Sequence, residues 1–261
     1  MKILFVGDVI GRGGRRTLQA NLAEVQEEKG IDFTVVNVEN AAGGFGVSAR
    51  IAEHVLKLGT DVMTSGNHIW DQKDVYSYLN RQPRLLRPVN YPPGAPGHGV
   101  WTGESRAGVP VAVINLQGRV FMQAIDCPFR AIDRELDRLD PSIKVVIVDF
   151  HAEATAEKMA FGWHVDGRAT VVVGTHTHIP TADVRVLPEG TAYVTDVGMT
   201  GSYESVIGMR IEDSVSRFLT GLGKRFQPET RKPRFSSVIV EIDETSGKAC
   251  AIERWDIPAA L

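Results

Sequence analysis

Two cysteines in 261 residues, Cys127 and Cys250, leave no room for a disulfide framework, and neither sits in a CxxC or Cys/His spacing that would hold zinc through thiolates. They read as free thiols. No apolar stretch approaches the ~20 residues of a membrane span, and the opening MKILFVGDVIG is apolar too briefly for a secretory core, so the cytoplasm is the expected location and no membrane partner is expected. Excess positive charge is also missing. The net charge is −3, which argues against bulk attraction to RNA or anionic lipid despite a basic patch at RFQPETRKPR (225–234). Neither a GxSxG nucleophile elbow nor a GxxxxGK[ST] phosphate loop occurs. GDVIGRGG (7–14) fails the dinucleotide fingerprint because Arg16 stands where the third glycine belongs, so the motif argues against a Rossmann cofactor site.

What is present is alternation. Short β-branched runs, ILFV (3–6), FTVVNV (33–38), DVMT (61–64), VAVINL (111–116), VVIV (145–148) and TVVV (170–173), alternate with segments of helical character at 13–29, 48–58 (Ser48 as N-cap), 71–80, 128–139 and 153–165. This pattern predicts an α/β sandwich with a parallel-rich centre, its strands buried on both faces. The proline-rich stretch 81–99 reads as a surface crossing to the next layer. DVRVLPEGTAYVTDVG and FSSVIVEIDETSGKACAIERW read as C-terminal antiparallel hairpins. Residues 1–261 are expected to form one domain.

The chemistry lies where the apolar runs stop. They end in Asp8, Glu39-Asn40, Asn67-His68, His151 and His176-Thr-His178, and the carboxyl ends of strands in an open α/β sheet form one rim. Singly, each has an ordinary alternative: Asp8 as a helix cap, the asparagines as turn residues, a lone histidine as a hydrogen-bonded rim residue. Together they form a pattern that the remaining histidines, His54, His98 and His164, do not share. A rim of histidine, carboxylate and amide without cysteine suits zinc, iron or manganese. Seven candidate ligands, Asp8, Glu39, Asn40, Asn67, His151, His176 and His178, with His68 beside them, exceed one tetrahedral ion and suit two neighbouring metals with a bridging carboxylate. Neutral His and Asn ligands then leave positive charge for an anionic substrate.

In order along the chain, Asp8, Gly66-Asn67-His68, His151 and His176-x-His178 resemble the motifs of the calcineurin-like metallophosphoesterases. Two departures stand out: Ile10 occupies the place of the first motif's histidine, and Glu39-Asn40 replaces Gly-Asp. With the words NVENAAGGFG, SGNHIWD, DFHAEATAEK, GTHTHIPTAD and TDVGMTGSYESVIG, these departures are similar to the YmdB-type branch of that superfamily over residues 1 to about 208.

The resemblance implies two divalent or mixed-valence metal ions, iron or manganese rather than zinc. Asp8, Asn40 and His178 would bind one, Asn67, His151 and His176 the other, and Glu39 would bridge them. It also implies hydrolysis of 2′,3′-cyclic nucleotides to 3′-nucleotides, with 3′,5′-cyclic AMP as a further candidate, by a hydroxide shared between the metals. His68, beside the ligands, would serve as the catalytic proton donor. Alternation along an extended chain would set His176 and His178 side by side, one for each metal. A phosphomonoesterase or ribonuclease using the same site, and a regulatory nucleotide- or RNA-binding protein with a residual metal site, are the rival readings. Which residues bind the substrate is not legible, and a homo-oligomer is compatible with every reading.

Overall fold

A computed structural model describes residues 1–258. The strands are β1 (Lys2–Val6), β2 (Asp8–Val9), β3 (Phe33–Asn37), β4 (Val62–Thr64), β5 (Val100–Glu104), β6 (Pro110–Gln117), β7 (Val145–His151), β8 (Val171–Thr175), β9 (Arg185–Val186), β10 (Ala192–Val194), β11 (Met199–Ser202), β12 (Pro233–Asp243) and β13 (Lys248–Pro258). The helices are α1 (Gly11–Lys29), α2 (Ala49–Lys57), α3 (Val75–Leu79), α4 (Pro128–Arg138), α5 (Thr155–His164) and α6 (Ile211–Thr220).

Two mixed sheets result. One runs β2-β11-β12-β1-β3-β4 with β13 added on β12, and the other runs β5-β6-β7-β8-β10-β9. Strands β1, β3 and β4 are mutually parallel, as are β6, β7, β8 and β10, which is the expected parallel-rich centre. Period-2 alternation sorts each strand's side chains between two cores. Ile3 and Phe5 of β1 face Val111, Val113, Ile147 and Val171 of the other sheet, whereas Leu4 and Val6 turn outward to Leu18 and Leu22 of α1. On the opposite side, Ile114, Val148 and Val172 pack under α4 and α5, where Phe150 and Phe161 stack at 4.1 Å. Helices therefore cover the outer faces of a sheet pair that shares an apolar centre.

Both expected hairpins form, β9–β10 and β12–β13. The second is no appendage: β12 pairs with all of β1, Lys2↔Glu241 to Val6↔Ser237, and so lies inside the first sheet. Ser48 caps α2 by accepting from the Ile51 N–H at 3.4 Å. The helix expected at 71–80 shrinks to Val75–Leu79. The reason is tethering: Asn67–Trp70 form a 3₁₀ turn, the Gln72 side chain donates to Phe45 O at 2.9 Å, and Asp74 accepts from the Ala49 N–H at 3.1 Å. These bonds hold residues 71–74 against the loop before α2 instead of in a helix. The proline-rich crossing carries the chain between the sheets through the bridges Met63↔Leu85 and Leu86↔His98.

Candidate metal centre

The carboxyl ends of the two sheets meet at Asp149. Its Oδ2 accepts from Asn37 Nδ2 of β3 (2.9 Å) and Thr64 Oγ1 of β4 (2.5 Å), and its Oδ1 accepts from Thr175 Oγ1 of β8 (2.7 Å). Across this seam the strand-end residues converge. Glu39, His151 and His176 bring ligand-type atoms within 4.8 Å of one another, and so do Asp8, Glu39 and His178; Glu39 belongs to both groups. Asn67 Oδ1 lies 3.1 Å from His151 Nε2, and Asn40 opens onto the same cleft as Glu39, His176 and His178. His54, His98 and His164 stay outside: His54 lies in α2, His98 in the crossing, and His164 pairs with Asp133 at the surface.

A second layer fixes which nitrogen of each ring faces inward. Thr175 spends its proton on Asp149, so its oxygen accepts from His151 Nδ1 (2.8 Å) and leaves the Nε2 lone pair inward. The Ile207 carbonyl holds His178 Nδ1 at 2.9 Å, and the Glu153 carboxylate lies 3.1 Å from His176 Nε2. Asn40 donates its amide nitrogen to Gly44 O, which turns its oxygen free. Ring nitrogens held by a carbonyl, a hydroxyl or a carboxylate are the usual support of metal-binding histidines.

The consequence is a cavity of acceptors facing acceptors. His151 Nε2 is 3.0 Å from His176 Nδ1 and 3.0 Å from Glu39 Oε1, with Asn67 Oδ1 beside it. Asp8 Oδ1, Glu39 Oε1 and Asn40 Oδ1 are buried without a hydrogen-bond partner, and no Lys or Arg pairs with Asp8 or Glu39 among the described residues. Burial raises the Asp8 carboxyl well above the ordinary range, and neighbouring Glu39, Asp196 and Asp149 add to this against the pull of His151. Burial also acts to raise Glu39, yet His151, with His68 and His176, brings it down to about 2. His176 falls to about 3 through burial and the proximity of His151. Such a donor set, carboxylate- and lone-pair-rich, with two long backbone N–H contacts and the candidate-ligand histidines as its only donors, fits bound cations.

Two glycines make the approach possible. A Cβ on Gly66 would run into the His151 ring and the Glu39 carboxylate, and one on Gly174 would strike Thr195 O. Gly66 therefore lets the Asn67-His68 turn pass over the cluster.

The expectation that His176 and His178 alternate along an extended chain is wrong. β8 stops at Thr175, and both histidines adopt positive φ, 91° and 66°. Strain, not strand pleat, separates the rings, and side-chain bonds sustain it. Asp196 Oδ2 accepts from the Thr177 N–H (3.1 Å), Thr177 Oγ1 (2.6 Å) and the fully buried Lys158 ammonium (2.9 Å). The turn sends His176 to one group and His178 to the other.

His68 sits at the rim. Its Nδ1 lies 2.8 Å from Asp71 Oδ2, its ring edge meets Phe45 at 5.0 Å, and its backbone N–H donates to Glu39 Oε2 at 3.3 Å. Nε2 is thus the nitrogen available to a ligand in the cleft. That cleft, about 530 Å³, has Glu39, Asn40, His176 and His178 along its polar side and Phe45, Ile207, Met209, Phe218 and Phe226 along its apolar one. Residues that sequence reasoning missed are Asp149, Glu153, Thr175, Lys158, Asp196 and the whole of α6. Ile207, in a loop not assigned to the site from sequence, both lines the cleft and holds His178.

Removing the Thr175 hydroxyl tests the second layer. Thr175→Val is expected to weaken metal affinity about 10–100-fold while the fold persists, measured by titration of metal-stripped protein; an unchanged affinity would show that the His151–Thr175–Asp149 chain orients nothing.

Comparison with known proteins fits this geometry. The chain is 45% identical over 254 residues to the 2′,3′-cyclic-nucleotide 2′-phosphodiesterase of Bacillus subtilis (strain 168), covering 97% of this chain and 96% of that one. It superposes on the crystal structure of a hypothetical protein from Thermus thermophilus with a TM-score of 0.94 at 41% identity, covering 100% of both chains. A Mycoplasma pneumoniae structure described as a novel phosphatase matches with a TM-score of 0.92 at 34% identity, covering 99% of this chain and 93% of that one. Residues 4–255 match the model of the YmdB-like protein family, so the chain belongs to that family.

Proposed function

We propose that the protein is a dinuclear metal-dependent phosphodiesterase that hydrolyses 2′,3′-cyclic nucleotides to 3′-nucleotides. The observation that carries this reading is the pair of ligand groups sharing Glu39, with three unpartnered buried oxygens and an inward His151–His176 lone-pair contact, opening on a cleft edged by His68. The name of the Bacillus subtilis relative, similar over nearly its full length, supports the substrate class.

Asp8, Asn40 and His178 would hold one cation, Asn67, His151 and His176 the other, and Glu39 both. The mixture of nitrogen and oxygen donors without thiolate suits iron or manganese, which we favour over zinc. When bound, the two cations supply an activated water at neutral pH and draw charge from the phosphoryl group. The chain's residues do the rest. The one group against Glu39 Oε1 is the His151 ring at 3.0 Å, itself a candidate ligand, so no residue outside the cluster competes for that oxygen. Asp71 holds His68 by Nδ1 and turns Nε2 to the cleft, so that in the imidazolium form the Nε2–H would pass to the departing ribose oxygen and Nδ1–H would stay on the Asp71 carboxylate. The turn at 176–178 keeps the two histidines apart, one in each ligand group.

The core shared by the two sheets supports treating the chain as a single domain. Two free cysteines, together with the finding that no helix among the described residues is long and apolar enough to cross a membrane, support a cytoplasmic site of action. A substrate panel tests the reaction: 2′,3′-cyclic nucleotides, 3′,5′-cyclic AMP, p-nitrophenyl phosphate and oligoribonucleotides, each with iron or manganese loaded. We expect the 2′,3′-cyclic nucleotides to be cleaved fastest, and to 3′-nucleotides by chromatography. Turnover of the monoester or the oligomers without any turnover of cyclic nucleotide would overturn the assignment.

A further inference from the structure

The chemistry at the floor of the cleft needs only a phosphate, yet the opposite wall is apolar. Phe45, Ile207, Met209, Phe218 and Phe226 line it, together with Arg217. Phe218 is the informative member. It projects from α6 with 86% of its surface exposed, so the fold gains nothing from it, while its ring borders the space above the metal centre. Neighbouring Arg217 has no carboxylate partner among the described residues and instead lies 5.1 Å over the Phe226 ring. An exposed aromatic ring next to a guanidinium stacked on a second ring forms a surface for a flat, π-rich group that carries hydrogen-bond acceptors. A nucleobase is such a group.

We infer that Phe218, Phe226 and Arg217 form the base-recognition wall of the site, with Phe218 stacking on the substrate's nucleobase and Arg217 donating to its ring acceptors. The inference rests on the nucleotide phosphodiesterase reading and extends it from the phosphate to the base. It makes α6 a specificity element: the residues that choose a nucleotide over a bare phosphodiester lie outside the metal-holding strand ends. Because Phe218 is 86% exposed and belongs to none of the ligand groups, its removal is expected to leave the cluster of Glu39, His151, His176 and His178 intact.

The test separates base from phosphate. Binding of adenosine 3′-phosphate and of ribose 3-phosphate to the metal-loaded chain is measured by calorimetry for wild type, Phe218→Ala and Arg217→Met. Stacking on an aromatic side chain accounts for roughly tenfold to a hundredfold in affinity. We expect Phe218→Ala to weaken adenosine 3′-phosphate by that factor and to leave ribose 3-phosphate unchanged, with Arg217→Met acting in the same direction. Equal weakening of both ligands, or no change in either, overturns the base wall. So does intact binding with a changed oligomeric state by light scattering, which would make the wall a contact between copies of this chain. Wild-type turnover of 2′,3′-cyclic AMP is followed in parallel. Its absence would remove the proposed reaction, while the binding measurements would still decide the base wall by themselves.

Discussion

Replacing Glu39 with glutamine is expected to cost the protein both metals at once. Glu39 is the one residue common to the two ligand groups; its Oε1 faces only the His151 ring at 3.0 Å, and its Oε2 accepts only from the His68 N–H at 3.3 Å. Glutamine keeps the shape but replaces one oxygen with a donor nitrogen aimed at the cations, and it halves the carboxylate charge that Asp8 and Glu39 present. A supporting residue behind a metal ligand is typically worth about 10–100-fold in affinity; loss of the shared ligand should exceed that. Elemental analysis of Glu39→Gln should therefore find less than one ion per chain, with circular dichroism showing the fold retained. Full retention of two ions would rule out the bridge.

His68→Ala is expected to separate chemistry from metal binding. The ring lies at the rim, held by Asp71 and Phe45, and no ligand group includes it. General acid assistance contributes about 10²–10⁴-fold, so turnover of a 2′,3′-cyclic nucleotide should fall by that factor with metal content unchanged. A diester that releases p-nitrophenolate leaves without needing a proton, and its hydrolysis should fall far less. Undiminished turnover of the cyclic nucleotide would sink the proton-donor role, and equal losses on both substrates would point to a role in binding.

Much of this site could be read from the sequence because of one property of parallel sheets. Strands buried on both faces must be apolar throughout, so a polar residue at the end of the run marks the rim, and Asp8, Glu39, His151 and His176 all met that description. The parts that stayed hidden are those that break the rule. Asp149 sits within an apolar strand, and its three side-chain donors come from three other strands, Asn37, Thr64 and Thr175, which no local pattern relates. Its signal was present as the one carboxylate inside VVIVDFH, two residues before His151. Lys158 reads as a solvated helix residue but is buried against Asp196.

The spacing of GTHTH was legible and its geometry was not. Period-2 reasoning holds for extended chain, and the chain leaves that state at Thr175; the turn that follows is set by Asp196 and Lys158, distant in sequence. Helix α6 escaped detection for another reason. Phe218 and Leu219 point to solvent at 86% and 80% exposure, so its apolar residues do not form the buried stripe by which amphipathic helices are recognised.

A cage of facing acceptors is stable only with cations inside it, and metal content per chain measures their presence directly. Protein purified without added metal, analysed by inductively coupled plasma mass spectrometry, should carry close to two ions per chain, iron or manganese. One ion per chain, or none with no uptake on titration, would contradict the dinuclear centre.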